Sequence, residues 1–393
     1  MSASDALPVT RYSLLSPMIY LDHNATTPVD PAVREAMMPF LNQEFGNPSS
    51  FYALGRHAAT ALIKAREQVA QLLNATAAQI VFTSCATESI TTAFLSALEA
   101  APERRHLIAS TVEHNATLEL CQHYESRGYK VTYLSVDREG NLSLEQLKQS
   151  ITPSTALISL LWANNETGVI FPVEKIAAIA AEKNIPLHLD AVQAVGKIPI
   201  DLHSLPVQYL SLSGHKIYAP KGVGALYVHR HASYTPLLRG SQEAARRGGT
   251  ENVINIVALG AAAMIAKEKL FSELTRLTAL RDRFETKLLQ QLSGVHRNGN
   301  LSSRLANTSN LTFDGIEAAS ALFLFDQKNL CCSAGSACST QSRTPSHVLS
   351  AMGRSLEEAR ATLRFSLGRF TTQAEMDQAI EIISDIVEKL RRL

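Results

Sequence analysis

From Ile80 to Val228 the sequence alternates short apolar runs with amphipathic stretches, and this alternation leaves few architectures open. Strands joined through helices run parallel, and a parallel sheet needs cover on both of its faces. Residues 80–83, 107–109, 130–134, 156–161 and 186–189 read as strands, with helices at 116–127, 144–149 and 173–183 between them. Upstream, Asp30 and Pro31 suit the N-cap and first position of a helix running to Phe40, and 56–73 repeats apolar residues at helical spacing. The expected fold is α/β, with a large domain built on a mostly parallel sheet. After Val253 the alternation stops. A long helical region to residue 292 precedes two short β-runs, at 310–313 and 362–366, set among helices. That pattern predicts a smaller α+β domain. The expected division gives 17–260 to the large domain and 1–16 with 261–393 to the small one.

Two strand ends carry chemistry. The run from Tyr209 stops in Ser213-Gly214-His215-Lys216, and a Pro/Gly-rich turn leads into another run at 225–228. Open α/β sheets bind ligands beyond the carboxyl ends of their strands, which is where this loop falls. A lysine amine in a partly dry pocket can lose its proton near neutral pH and condense with a carbonyl, and pyridoxal phosphate offers one. Alone, Lys216 would read as a solvated loop lysine. Upstream, however, residues 185–189 form a second apolar run that ends at Asp190. Pyridoxal phosphate needs a carboxylate at its ring nitrogen, because that pairing keeps the nitrogen protonated and the ring an electron sink. Asp190 alone fits a helix N-cap equally well. Asp190 and Lys216 together, each at a strand end, favour the cofactor.

Other loops fall at strand ends too. Residues 83–89, Thr-Ser-Cys-Ala-Thr-Glu-Ser, pass from strand to helix, so their amides and the Thr87 hydroxyl form an anion site or an ordinary cap. His114 suits stacking on a flat ring, moving a proton, or a structural role. Asn164-Asn165-Glu166-Thr167-Gly168 is a polar loop that reads alone as a turn. Residues 246–250, Arg-Arg-Gly-Gly-Thr, make a basic turn that either reaches a phosphate or is solvated. Arg364 lies inside a predicted strand; arginine is costly to bury unpaired, and its fork favours capture of a substrate carboxylate over a structural ion pair. Residues 333–340, Ser-Ala-Gly-Ser-Ala-Cys-Ser-Thr, are almost all small, with Gly335 as a hinge, so a mobile loop carrying the thiol of Cys338 is expected. An ordinary thiol is mostly protonated at neutral pH, so a base such as His114 would take its proton on approach.

Composition removes whole classes of function. With 37 Lys+Arg against 36 Asp+Glu the formal charge is +1, which points to neither nucleic acid nor a membrane surface. No segment is apolar over the length of a bilayer span, and residues 1–17 include Asp5 and lack a basic start, so a cytoplasmic protein without a secretory signal is expected. Five cysteines in 393 residues make no disulfide framework, and Cys331, Cys332 and Cys338 contain no C-x-x-C pair of the kind zinc uses. No metal is expected.

Taken in order, several segments resemble the NifS/IscS-type cysteine desulfurases. They are Tyr20-Leu-Asp-His-Asn-Ala-Thr-Thr-Pro28, Gly46-Asn-Pro-Ser-Ser50, Thr83-Ser-x-Ala-Thr-Glu-Ser89, Glu113-His114 and Asn164-Asn-Glu-Thr-Gly168. Asp190-Ala-x-Gln193, Ser213-Gly-His-Lys216, Arg247-x-Gly-Thr250, Ser336-Ala-Cys338 and Leu363-Arg-Phe-Ser366 complete the set. Those enzymes are class V aminotransferase-like, of pyridoxal phosphate fold type I, with a seven-stranded type of sheet. The resemblance implies that Lys216 links covalently to the cofactor, Asp190 faces its pyridine nitrogen, Gln193 its phenolic oxygen, and His114 stacks on its ring. It implies further that Ala86, Thr87, Ser213 and His215 hold the phosphate, joined by Thr250 from a neighbouring subunit, so that the working form is a homodimer with shared sites. Asn165 is placed with the cofactor and, with Arg364, on the substrate carboxylate. Cys338 is the loop cysteine. Cys85 stands where these enzymes usually have glycine, Ile90 where asparagine is common and Tyr52 where histidine often follows. The expected activity is L-cysteine to L-alanine with sulfur left on Cys338 as a persulfide and passed to an acceptor such as an iron–sulfur scaffold. Selenocysteine lyase, a class V aminotransferase and a non-enzymatic assembly scaffold are the alternatives.

Overall fold

The alternation in the sequence becomes one sheet in the computed structural model, which describes residues 18–335 and 346–392. After a two-residue strand β1 (Ile19–Tyr20), the sheet takes β2 (Ile80–Thr83), β3 (His106–Ser110), β4 (Lys130–Leu134), β5 (Thr155–Leu161), β6 (Leu187–Asp190), β7 (Tyr209–Ser213) and β8 (Gly224–Val228). Their spatial order is β2-β8-β7-β6-β5-β3-β4. Neighbours pair in parallel except at β8, which runs antiparallel to both β7 and β2. The connection from β7 to β8 holds no crossover helix, so the chain can only turn back beside itself. The α/β class and mostly parallel sheet read from the sequence are therefore present.

The central strands are apolar throughout because both faces are covered. Successive side chains point to opposite faces. Ile108, Ile158, Leu160 and Leu210 join the helices Ala53–Leu72 and Val173–Glu182 in one core. Leu107, Leu157, Tyr209 and Leu226 join the helix Ala86–Ala100 in another. The helix Pro31–Asn42 starts as read, with Pro31 in its first turn and Asp30 Oδ1 accepting from the Ala32 amide at 2.9 Å.

The helix Val253–Gln291 runs unbroken through residue 260 and serves two cores. Its early residues Ile256, Leu259 and Ala263 pack with the large sheet, whereas Leu277, Phe284 and Leu288 belong to a separate cluster. That cluster lies on a second sheet of β9 (Val295–Arg297), β10 (Thr308–Phe313) and β12 (Thr362–Ser366), antiparallel in the order β12-β10-β9, under the helix Gln373–Arg391. β1 pairs in parallel with β11 (Leu330–Cys331), which carries Ile19 and Leu21 into the same cluster. No helix among the described residues is long and apolar enough to cross a membrane. β2, β3, β5, β6 and β7 all point their carboxyl ends to one edge of the large sheet, where the candidate site lies.

Candidate active site

Two strand ends set the geometry. β6 closes on Asp190, and β7 closes on Ser213 before a single 3₁₀ turn, Gly214–Lys216, brings Lys216 round. Only glycine fits the start of that turn, since a Cβ on Gly214 would lie 2.9 Å from Val223 Cγ1. Lys216 Nζ donates to the backbone oxygens of Asn24 at 2.6 Å and Ala25 at 2.7 Å, just beyond β1. A cavity of ≈ 260 Å³ opens here, and Lys216, Asp190, His114, Gln193, Asn165 and Arg364 all line it. Ala86, Thr87, Ser213 and His215 line it as well.

The electrostatics fit a particular ligand. Burial pushes the Asp190 carboxyl up from its ordinary range, with His114 and Lys216 pulling the other way. Among the described residues only the Val192 amide donates to it, at 3.0 Å on Oδ1. A protonated ring nitrogen would satisfy the other oxygen. The helix Ala86–Ala100 begins at Cys85 without a side-chain cap, so its first amides remain available to an anion. His215 is lowered to about 4 by burial, with Lys216 and Lys221 adding to the effect. An amine, an acid and an uncapped helix start suit a carbonyl, a pyridine nitrogen and a phosphate, the three handles of pyridoxal phosphate. Cys85 has extended backbone (φ −172°, ψ 172°), so a side chain there in place of glycine meets no strain.

Several sequence-read residues sit in arrangements the sequence did not reveal. His114 is the N-cap of the helix Asn115–Ser126, with Nδ1 accepting from the Ala116 amide at 3.2 Å, and this fixes the ring proton on Nε2. Burial lowers its pKa, so the ring is neutral near pH 7. Arg364 lines the cavity, yet it also makes a structural ion pair, 2.6 Å from Asp22 Oδ1, and donates to the Asn165 oxygen at 3.0 Å. None of residues 246–250 lines the cavity on its own chain. Arg246 bonds the oxygens of Ala78 and Ile80, and Arg247 pairs with Glu88 at 3.0 Å. Thr250 is exposed and does not line the cavity. Cys338 and its Ser336-Ala337 neighbours lie outside the described residues. No group of three or more His, Cys, Asp or Glu among the described residues forms a metal site.

Sequence reasoning gave no roles to Asp22, Asn24, Lys197 or His347, although all but Lys197 and Asp22 line the cavity. His347 Nε2 donates to the Glu113 carbonyl at 2.9 Å. Two acids are fully buried here, and Glu166 lines the cavity. Glu166 accepts from Ser346 Oγ at 2.5 Å, and burial raises its pKa. Glu113 accepts from Ser110 Oγ at 2.6 Å, its Oε2 has no partner among the described residues, and burial raises it to about 8. Above the unfolded pKa of about 4.3 the unfolded chain loses a proton that folded Glu113 keeps, so stability falls as pH rises until the folded acid ionises. Glu113→Gln is therefore expected to flatten the loss of stability between about pH 4.5 and 8. Chemical denaturation across that range tests it, and an unchanged slope would refute it.

Residues 19–379 match the family model described as Aminotransferase class-V. A cysteine desulfurase from Nostoc sp. is 48% identical over 377 residues, covering 96% of this chain and 94% of that protein. Cysteine desulfurase NifS from Azotobacter vinelandii is 47% identical over 377 residues, covering 95% and 94%. Among solved structures, a NifS-like protein is similar at a TM-score of 0.89 and 36% identity, over 95% of this chain and 100% of that one. SspA in complex with cysteine is similar at a TM-score of 0.79 and 39% identity, over 90% and 99%. A family model that takes in both sheets and the cavity between their loops, with relatives this close across nearly the whole chain, leaves one assignment: the chain belongs to the class-V aminotransferase family and is a pyridoxal phosphate-dependent enzyme.

Proposed function

We propose that the chain is a cysteine desulfurase, converting L-cysteine to L-alanine and leaving the sulfur on Cys338 as a persulfide. What carries this reading is the meeting of Lys216 and Asp190 in one cavity, in a chain 48% identical to a named cysteine desulfurase over nearly its full length. Pyridoxal phosphate, when bound, supplies a carbonyl for amines and a ring that draws electrons from the carbon attached to it. Lys216 Nζ would be the covalent anchor and, as a base, would take the proton from the substrate Cα and return one as alanine forms. Asp190 keeps the ring nitrogen protonated, and Gln193 donates to the phenolic oxygen. His114, with its proton on Nε2 and its Nδ1 engaged, stacks on the ring more readily than it accepts a thiol proton. Ala86, Thr87, Ser213 and His215 hold the phosphate.

Asn165 and Arg364 hold the substrate carboxylate. The thiolate of Cys338 attacks the substrate sulfur, so an S–S bond forms as the C–S bond breaks. Thr250, exposed on its own subunit, completes the phosphate site of a second copy, which makes the working form a homodimer. The sulfur then passes to an acceptor such as an iron–sulfur scaffold, in the cytoplasm. Residues 17–260 serve as the cofactor-binding domain, and 1–16 with 261–393 as the domain that presents Cys338.

Incubating the purified protein with L-cysteine and a reductant, and measuring alanine and sulfide together, tests the activity. Equal yields of both are expected. Turnover of selenocysteine alone would favour a lyase, and amino-group transfer without sulfide a plain aminotransferase. Arg364→Ala is expected to weaken L-cysteine binding by roughly tenfold or more, the worth of one charge-assisted bidentate contact. The same change leaves Asp22 without its cation and should lower stability by roughly 3 kcal/mol. Asp22→Asn separates the two effects, since it removes the ion pair and keeps the guanidinium. Unaltered substrate affinity in Arg364→Ala would reassign the carboxylate site.

A further inference from the structure

We propose that Lys197 is a positioning residue, which holds the Gln193 amide in the one orientation that turns an N–H, rather than its oxygen, to the cofactor. The inference rests on the reading that Gln193 faces the cofactor's phenolic oxygen. The two ends of a glutamine amide are alike in shape, so only its partners decide which way it points. Lys197 lies four residues beyond Gln193, in the turns that follow β6. Its Nζ donates to Gln193 Oε1 at 2.5 Å and to Asn24 Oδ1 at 3.2 Å. Since the lysine N–H groups donate, Gln193 must direct its oxygen at Lys197 and its nitrogen away. Nε2 donates to the Asn24 backbone oxygen at 3.0 Å, and its second N–H has no acceptor among the described residues. Gln193 is 4% exposed and lines the cavity, so that N–H is available to a ligand.

The arrangement has no slack in it. Asn24 is 1% exposed, and its backbone oxygen accepts from both Gln193 Nε2 and Lys216 Nζ. Its Oδ1 accepts from Lys197 and from Asn307 Nδ2 at 3.0 Å, and its Nδ2 donates to the Asn165 oxygen and to Thr308 Oγ1. A rotated Asn24 would lose all of these at once, so Lys197 has one fixed acceptor and one that it fixes itself. Among the described residues no carboxylate pairs with the Lys197 amine. Burial lowers its pKa well below the lysine range, and Lys216 and Arg364 add to that effect. Two acceptors meet the Lys197 N–H groups, and Gln193 Oε1 is one of them.

Loss of the lysine should let the amide turn over and set Oε1 against a ligand oxygen that itself needs donors. Lys197→Met keeps most of the length of the side chain and removes its N–H groups. Apoprotein titrated with pyridoxal phosphate is expected to bind it roughly tenfold more weakly in this variant, with a displaced visible absorption band. Gln193→Ala should show a similar loss, and adding Lys197→Met to it should change little, because the lysine acts through that amide. Wild-type affinity and band in Lys197→Met, or a full second loss in the double variant, would overturn the proposal. If Lys197→Met proves unfolded by circular dichroism, the same cycle with Lys197→Leu, which also removes every N–H, decides by the same two outcomes. Wild-type protein that fails to bind pyridoxal phosphate overturns the functional reading with it; normal wild-type binding that is indifferent to Lys197 overturns this inference alone.

Discussion

Lys216→Ala is expected to lower alanine formation from L-cysteine by roughly 10⁴-fold or more, because one side chain both anchors the cofactor and moves the Cα proton. The protein should also lose the visible band that reports the covalent link, and borohydride should trap no cofactor on the chain. The fold should survive. The Asn24 oxygen keeps its bond from Gln193 when Lys216 is gone, so the expected change in stability is about 1 kcal/mol. These two results together separate a chemical role from a structural one. Near-normal turnover in Lys216→Ala would move the covalent role to another amine, and Lys197, donating to the same asparagine, would be the first to test.

Cys338→Ser is expected to remove the persulfide and to reduce alanine formation by roughly 10³-fold or more, since a hydroxyl neither ionises at neutral pH nor accepts sulfur. The addition of L-cysteine should still perturb the visible spectrum, because that step needs Lys216 and not the thiol. The described residues on either side of the Cys338 segment, Gly335 and Ser346, both meet Glu166. Gly335 lies so close to Glu166 that a Cβ there would be 3.0 Å from Oε2, and Ser346 Oγ donates to the same oxygen. Glu166 lines the cavity. Persulfide-free turnover at the wild-type rate would put selenocysteine lyase ahead, because a better selenide leaving group would need no such thiol.

Much of the site was legible because it is local. A buried run that stops at one polar residue marks a strand end whatever surrounds it, and Asp190 and Ser213 close β6 and β7 where the runs end. β4 and β12 match the expected 130–134 and 362–366 residue for residue. What escaped depends on partners distant in sequence. β9 and β11 are three and two residues long, too short to show a period. The weight of Arg364 as an ion pair rests on Asp22, and that of Lys197 on Asn24; neither partner lies near it in the chain. The turn at 246–250 was readable as basic, but its arginines fold back onto the start of β2 and the helix after it, which composition cannot indicate.

The pairing of β1 with β11 has a consequence for how the protein is made. Ile19 pairs with Leu330, and Asp22 meets Arg364 across 342 residues. At about 5–20 residues per second, a ribosome delivers that arginine roughly 20–70 s after the aspartate. Until β12 is made, Ile19 and Leu21 lack Leu363, Phe365 and Leu367 of their core, and the Asn24 amide lacks its acceptor on Ser366. The large sheet can close behind the ribosome while its catalytic wall cannot. Nascent chains arrested before residue 362 should accordingly bury the strands β2 to β8 against proteolysis yet remain open to a protease at residues 18–25, which makes a pause before the last twelfth of the message the step at which this enzyme is most exposed to degradation.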